Sequence, residues 1–170
     1  MPKAAVAGHY NIKHKRGGRL LREASGHNGI TDLGLDLLLD STFNGATQSA
    51  NWYLGLLAAN AVVDAADTMV SHAGWTEFVG HTSPVRLLWD AGASADNVSG
   101  RRITNASPTI FTVNADGTVA GLFVTSNNVL AGATGHLWAT AEFDEPLEVQ
   151  ISDTIEITYT VSATDANEDV

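Results

Sequence analysis

Residues Thr154 to Ser162 alternate between apolar and polar side chains with a period of two, and this pattern constrains the fold more than any other part of the chain. One face carries Ile155, Ile157, Tyr159 and Val161, and the other carries Glu156, Thr158 and Thr160. A strand with one apolar and one polar face is typical of an antiparallel sheet that is buried on one side only. The segment therefore predicts an antiparallel strand near the end of the chain.

Other short segments rich in β-branched and aromatic residues are separated by turn residues. They are 52–57, 85–89, 109–113, 118–125, 137–143 and 147–151. Asp116-Gly117 predicts a tight hairpin turn between the third and fourth of these segments, and the residues 144–146 predict a turn between the last two. About seven to nine short strands with regular turn signals predict a mainly β fold, an antiparallel β-sandwich or jelly-roll.

One segment has a helical period instead. The sequence TDLGLDLLLD, from Thr31 to Asp40, spaces its apolar residues as one face of a helix, and Thr31 or Asp32 is suited to cap its start. A length of 170 residues suits a single domain with its own core. We place this domain at 25–163, with one short helix, between a basic N-terminal arm at 1–24 and an acidic tail at 164–170.

The charge of the chain is divided between the arm and the domain. The first 22 residues hold six basic side chains and no acid, whereas the remaining 148 hold all 19 acids against three arginines. Gly17-Gly18 predicts that residues 4–24 form a hairpin. An acidic body repels nucleic acid, so the expected partner of the arm is an acidic protein surface. The expected docking residues are Lys13, Lys15, Arg16, Arg19 and Arg22; the alternative is a hairpin whose charges only balance its own body.

The residues give no recognisable signature of catalysis or of a cofactor site. There is no cysteine, no HExxH pattern and no phosphate-binding glycine loop. Two carboxylate pairs, at 64/67 and 144/145, lie in turn-like sequence, which is typical of solvated acids. His9 and His14 are far from His72 and His81 in the sequence. The four histidines could bind a metal ion together only if the fold brought them close to one another. We therefore expect no enzyme, no cofactor and no metal site, and the absence of a long apolar run predicts no membrane span.

Four tryptophans supply large apolar surfaces with one polar N–H each. Trp52, Trp89 and Trp138 lie in predicted strands, which favours core positions. Trp75 lies in a long connection within the sequence SHAGWTEF. It is the candidate contact with a partner or ligand, and a structural plug is the alternative.

Several blocks of sequence, taken in order, resemble a family of small virion proteins encoded by tailed bacteriophages. The blocks are 30–40, 52–57, 66–78, 117–126, 135–143 and 152–163. The resemblance covers most of residues 24–163 and leaves the basic arm outside. It implies a non-enzymatic structural protein that is assembled in the host cytoplasm and located in the virion.

Within that family, the role implied first is a capsid decoration or cement protein on the head shell. A neck, tail or fibre component is the alternative, and a glycan-binding module for host attachment is a second one. The implied partners are the major capsid protein or other virion proteins, together with further copies of the chain in a dimer or trimer.

Overall fold

The computed structural model describes residues 5–98 and 100–164. The chain is mainly β, with 53% strand and 8% helix, so the expected class is confirmed. The elements in order are β1 (Ala5–Arg16), β2 (Arg19–Ile30), α1 (Asp32–Phe43), β3 (Tyr53–Ala58), β4 (Leu87–Leu88), β5 (Ala95–Asn97), β6 (Gly100–Thr104), β7 (Thr109–Thr112), β8 (Gly117–Thr125), β9 (Leu137–Val149) and β10 (Thr154–Thr164).

The strands form one antiparallel sheet that is curled into a half-barrel. Its order is β4-β3-β8-β9-β2-β1-β10-β6-β5, and β7 also pairs with β10. The contact between β2 and β9 is narrow, because it contains only the pairs Gly29↔Thr140 and Ile30↔Ala139. This joint divides the sheet into two halves that curl towards each other.

The predicted N-terminal hairpin is present, but it is part of the sheet. β1 pairs with β2 along one edge and with β10 along the other, from Ala5↔Thr164 to Lys15↔Thr154. Tyr10 and Ile12 alternate with polar residues and are buried in the core, which explains why this segment is held between two strands. Residues 5–24 therefore do not project from the domain as an arm. Residues 1–4 and 165–170, which include Lys3 and most of the predicted tail, lie outside the described residues.

The helix forms where its spacing predicts, with the expected cap. The Thr31 hydroxyl accepts a hydrogen bond from the Gly34 amide at 3.0 Å and donates one to the Leu137 carbonyl at 2.5 Å. The same side chain therefore starts α1 and ties it to β9. Gly34 is the only helix residue that is fully buried, so α1 lies over the sheet with much of its surface exposed. Among the described residues, no helix is long and apolar enough to cross a membrane.

Two predicted turns in the C-terminal third are wrong. β7 and β8 do not form a hairpin, because β7 pairs with β10, which places Phe111 opposite Ile155, and β8 pairs with β3 and β9. Residues 137–149 form the single strand β9. The predicted turn corresponds instead to a break in register, where four residues of β9 oppose one residue of β8.

The apolar side chains pack into two clusters. The larger one joins residues of both halves of the sheet, among them Tyr10, Leu122 and Ile157. The smaller one lies beneath the connection that follows β3 and consists of Leu57, Met69, Trp75, Phe123 and Leu137. Because both halves contribute to one core, packed side chains fill the inner side of the curled sheet.

Candidate functional site

The basic side chains of the hairpin are largely paired with acids of the domain. Four of the five predicted docking residues form ion pairs: Lys13–Glu23 at 3.6 Å, Lys15–Glu156 at 2.6 Å, Arg16–Asp153 at 2.8 Å and Arg22–Glu145 at 3.1 Å. Two of the pairs join β1 to its neighbours, Lys13 to β2 and Lys15 to β10. Arg16 reaches the turn before β10, and Arg22 joins β2 to β9. The fifth residue, Arg19, forms no ion pair within the described part of the chain.

Asp153 is the centre of an ionic cluster beside the turn of the hairpin, where His14 and Arg16 lie at the end of β1. Its side chain is fully buried and accepts two hydrogen bonds from Arg16, both at 2.8 Å, and one from the backbone N–H of Gln150 at 2.9 Å. The His14 ring also lies 2.8 Å from the carboxylate. The Arg16 guanidinium, with smaller contributions from His14 and Gln150, holds the pKa of Asp153 well below its usual range. The carboxylate therefore stays ionised and fastens β1 to the turn before β10.

The tip of the hairpin, residues 17–21, is exposed and has an apolar and a positive part. Gly17 and Gly18 have φ angles of 56° and 79°, as a two-residue hairpin turn requires. The register then shifts at the tip, because Lys15 pairs with Leu20 and His14 pairs with Arg22. Leu21 is the extra residue of this β-bulge, and the usual alternation of buried and exposed residues is lost. As a result Leu20 and Leu21 are both 45% exposed, next to Arg19.

A pocket of about 300 Å³ lies between α1 and the sheet, at the other end of the hairpin from the tip. We call it the tryptophan pocket. Its lining residues are Leu37, Leu38, Ser41, Gln48, Ser49, Trp52, Trp89, Ile103, Val124, Trp138 and Val161. α1 supplies one wall, the sheet supplies the floor and the segment before β3 supplies the polar rim. A smaller polar cleft adjoins it and shares Trp52 and Trp89.

Hydrogen bonds hold the tryptophans of this pocket in place. The Trp89 indole N–H donates to the Asn105 side chain and to the Tyr159 carbonyl, both at 3.0 Å. The Trp138 indole N–H donates to the Tyr159 hydroxyl at 3.2 Å. Burial raises the pKa of Tyr159, so this hydroxyl stays protonated. The rings of Trp52 and Trp138 meet edge to face at 5.9 Å, and the pocket is thus formed in advance of any ligand.

Trp75 does not lie on the surface, contrary to its assignment as a partner or ligand contact. It is 4% exposed, stacks on His72 with ring centroids 3.9 Å apart and packs against Phe123. Its indole N–H donates to Asp67 at 2.9 Å, and the Asp64 amide donates to the same carboxylate oxygen. The long connection needs an apolar side chain to fill the space beneath it, so Trp75 is the structural plug.

The four histidines considered as metal ligands have different neighbours, and His72 stacks on Trp75. His14 contacts Asp153, His9 lies edge to face with His27, and His81 is buried against Phe111. Within residues 5–98 and 100–164, no three His, Asp or Glu side chains come together in a way that would hold a metal ion.

Sequence reasoning missed the tryptophan pocket and found only its parts. Trp52 and Trp138 were expected in the core, and both pack against it while one side of each ring remains accessible. The available signal was the apolar face of the helix, since its Leu37 and Leu38 line the pocket. No protein-family model and no curated protein sequence matches the chain.

Proposed function

We propose that the chain is a non-enzymatic structural protein of a tailed-bacteriophage virion, most specifically a capsid decoration or cement protein that attaches to the head shell and stabilises it. Five of the six sequence blocks that resemble such proteins coincide with α1, β3, β8, β9 and β10, and the block 66–78 lies in the connection between β3 and β4. These elements build the core and surround the tryptophan pocket. The resemblance therefore concerns the residues that determine the framework.

The observation that carries the proposal is that buried charged side chains join parts of the fold, whereas apolar side chains are accessible at two places on the surface. The buried ionic groups fasten strands and loops together, as Asp153 does for the hairpin and Arg86 does with Glu77 at 2.8 Å. Apolar side chains, in contrast, are exposed at the hairpin tip and line the tryptophan pocket. Exposed apolar groups rimmed by polar residues are typical of protein–protein contact sites.

Of the five basic residues expected to dock, only Arg19 keeps that role in this proposal. Lys13, Lys15, Arg16 and Arg22 are balanced by acids of their own domain, so their attraction for a distant acidic surface is weakened. The hairpin tip, with Arg19, Leu20 and Leu21, is the docking element that we propose. A protein placed many times on a symmetric lattice attaches firmly even through small contacts, because they act together.

The finer description of the fold belongs to the same proposal. We assign a β-sandwich or jelly-roll arrangement, in which the two halves of the curled sheet act as the two layers. Support comes from the shared core, to which strands on both sides of the β2–β9 joint contribute.

Copy number and location in purified virions test the proposal. A copy number in the hundreds, with antibody labelling on the head, is expected of a decoration protein, and about a dozen or fewer copies at the neck or tail would favour the alternative. Absence of the protein from purified virions would refute both. The glycan-binding alternative relied on Trp75, and its burial removes that contact.

Binding to undecorated heads tests the docking element. Deleting residues 1–22 would remove β1 from the centre of the sheet, so point variants are needed. Arg19→Glu is expected to weaken binding, whereas the matched variant Arg102→Glu, on strand β6 far from the tip, is expected to leave it unchanged. Equal binding by both variants would contradict a role of the tip.

A further inference from the structure

The hairpin tip, residues 17–21, is an exposed group of side chains that we call the knob. Leu20 and Leu21 are each 45% exposed, although a two-residue turn and a β-bulge hold them in fixed positions. Arg19 lies beside them and forms no ion pair within residues 5–98 and 100–164. A Cβ atom added at Gly17 or Gly18 would meet nothing within 4 Å, so the described chain does not cover the turn on that side. The tip thus offers apolar side chains and one positive charge with little ordering left to lose on binding.

The tryptophan pocket has the complementary features. Its volume of about 300 Å³ is lined mainly by aromatic and aliphatic side chains, which suits the entry of leucine side chains. The acid beside it is Asp90, which lines the adjoining cleft. The last turn of α1 carries no basic residue. The exposed acids Asp32, Asp36 and Asp40 of α1 lie on another face of the helix and do not line the pocket. A cation beside the last turn of α1 would also be stabilised by the helix dipole and by the faces of the tryptophan rings.

The knob and the pocket of one copy cannot meet each other. The pocket residue Val161 pairs with Gly8, which is nine residues from Gly17 along β1. At about 3.4 Å per residue, the two sites are separated by about 30 Å along a strand fixed in the middle of the sheet. Contact between them is therefore possible only between two copies.

We propose that the hairpin tip of one copy, residues 17–21, inserts Leu20 and Leu21 into the tryptophan pocket of a second copy, with Arg19 facing Asp90 in the adjoining cleft. This inference rests on the proposed function, since it names a second copy of the chain as the direct partner of the docking element. Binding to heads then depends on the tip through the assembly of copies that it builds. The two surfaces that meet are different, so the contact is heterologous. Such contacts build a closed ring when the rotation between copies closes, and an open chain when it does not.

A complementation experiment with purified full-length chains tests the contact. The tip variant carries Leu20→Ser and Leu21→Ser and keeps its pocket. The pocket variant carries Ile103→Lys, at a position that is 36% exposed, and keeps its tip. Loss of the apolar contacts is expected to weaken self-association by at least about tenfold in either variant. A 1:1 mixture leaves one functional tip and one functional pocket, and therefore forms a heterodimer and nothing larger.

Matched controls separate this effect from a general change in the surface. Val62→Ser with Val70→Ser removes two exposed apolar residues elsewhere, and Ile110→Lys places a lysine at a 51% exposed position outside the pocket. Both controls are expected to associate like the unaltered chain. Circular dichroism checks folding, and Ser49→Arg at the pocket rim serves as a second pocket variant if Ile103→Lys does not fold.

Mass measured by sedimentation and tryptophan emission are the two observations. The tip contains no tryptophan and the pocket contains three, so heterodimer formation is expected to shift the emission to shorter wavelength as the pocket is covered. The inference is overturned if the unaltered chain stays monomeric at all concentrations, if the tip variant associates normally, or if the two variants do not complement each other. Because no virion is involved, failure here leaves the copy-number test of the proposed function intact.

Discussion

The ion pair between Arg86 and Glu77 provides the sharpest test of the energetics of this fold. Both side chains are almost completely buried, at 1% and 6% exposure. The guanidinium donates to both carboxylate oxygens, at 3.0 and 2.8 Å, and also to the carbonyls of Asn127 and Gly132. The pair thus joins the connection after β3 to the loop between β8 and β9. We predict that Glu77→Gln strongly destabilises the protein.

The expected cost follows from this geometry. Glutamine has the size of glutamate, so the substitution removes the negative charge and leaves the guanidinium of Arg86 buried without compensation. Breaking a buried pair in this way costs about 3–5 kcal/mol, a large part of the roughly 5–15 kcal/mol by which a domain is stable. Both carboxylate oxygens accept hydrogen bonds, one from Arg86 Nε and the other from Arg86 Nη2 and the Ala131 N–H. The NH2 group of glutamine therefore faces an N–H donor in either orientation of the amide. The loss is therefore expected in the upper half of that range.

Urea unfolding followed by circular dichroism measures the effect, and the chain contains a matched control. Glu23→Gln makes the same chemical change in the pair with Lys13, whose partners are 3.6 Å apart and 42% and 45% exposed. An exposed pair contributes about 1 kcal/mol or less, so this variant is expected to unfold close to the unaltered protein. A loss below about 1 kcal/mol for Glu77→Gln, or equal losses for both variants, would refute the reasoning, provided that the slope of the unfolding curve is unchanged.

Three further predictions concern other parts of the fold. The depressed pKa of Asp153 means that its contribution to stability is present above the pKa of about 4 of an unfolded aspartate and is lost as the pH falls below it; Asp153→Asn should flatten this part of the stability profile in acid unfolding. Trp75→Phe removes the hydrogen bond to Asp67 and should lower the free energy of unfolding by about 1–2 kcal/mol in urea. The number of copies in the assembly, measured by sedimentation, should stay the same. Gly55→Ala would place a methyl group against the ring of Phe123 and should lower stability by about 1–3 kcal/mol in thermal unfolding.

The elements that sequence reasoning predicted well depend on neighbouring residues. The cap and period of α1, the Gly-Gly turn of the first hairpin and the alternation of β10 all appear in the structure. Each is determined within a few residues, by a side chain that caps a helix, by glycines that adopt positive φ or by a period of two.

The errors concern contacts between distant residues. Thr109 to Thr112 was correctly predicted as a strand, but its partner is β10 and not the next strand, because Phe111 is buried there opposite Ile155. The polar residues around Trp75 in the sequence favour a surface position for its side chain. In the structure, the space beneath this connection is filled by the Trp75 ring. Local sequence contains no information about that space.

The sequence by itself determined a mainly β chain with one capped helix, a Gly-Gly hairpin and a strong separation of positive from negative charge. Tertiary structure alone decided that most of this positive charge is balanced, since Lys15 and Arg16 meet acids that are 141 and 137 residues away along the chain. It also decided that tryptophans from separate segments form one pocket. The physical reason is that a strand's backbone groups accept any partner strand, so register and neighbours are selected by the burial of apolar faces across the whole sheet.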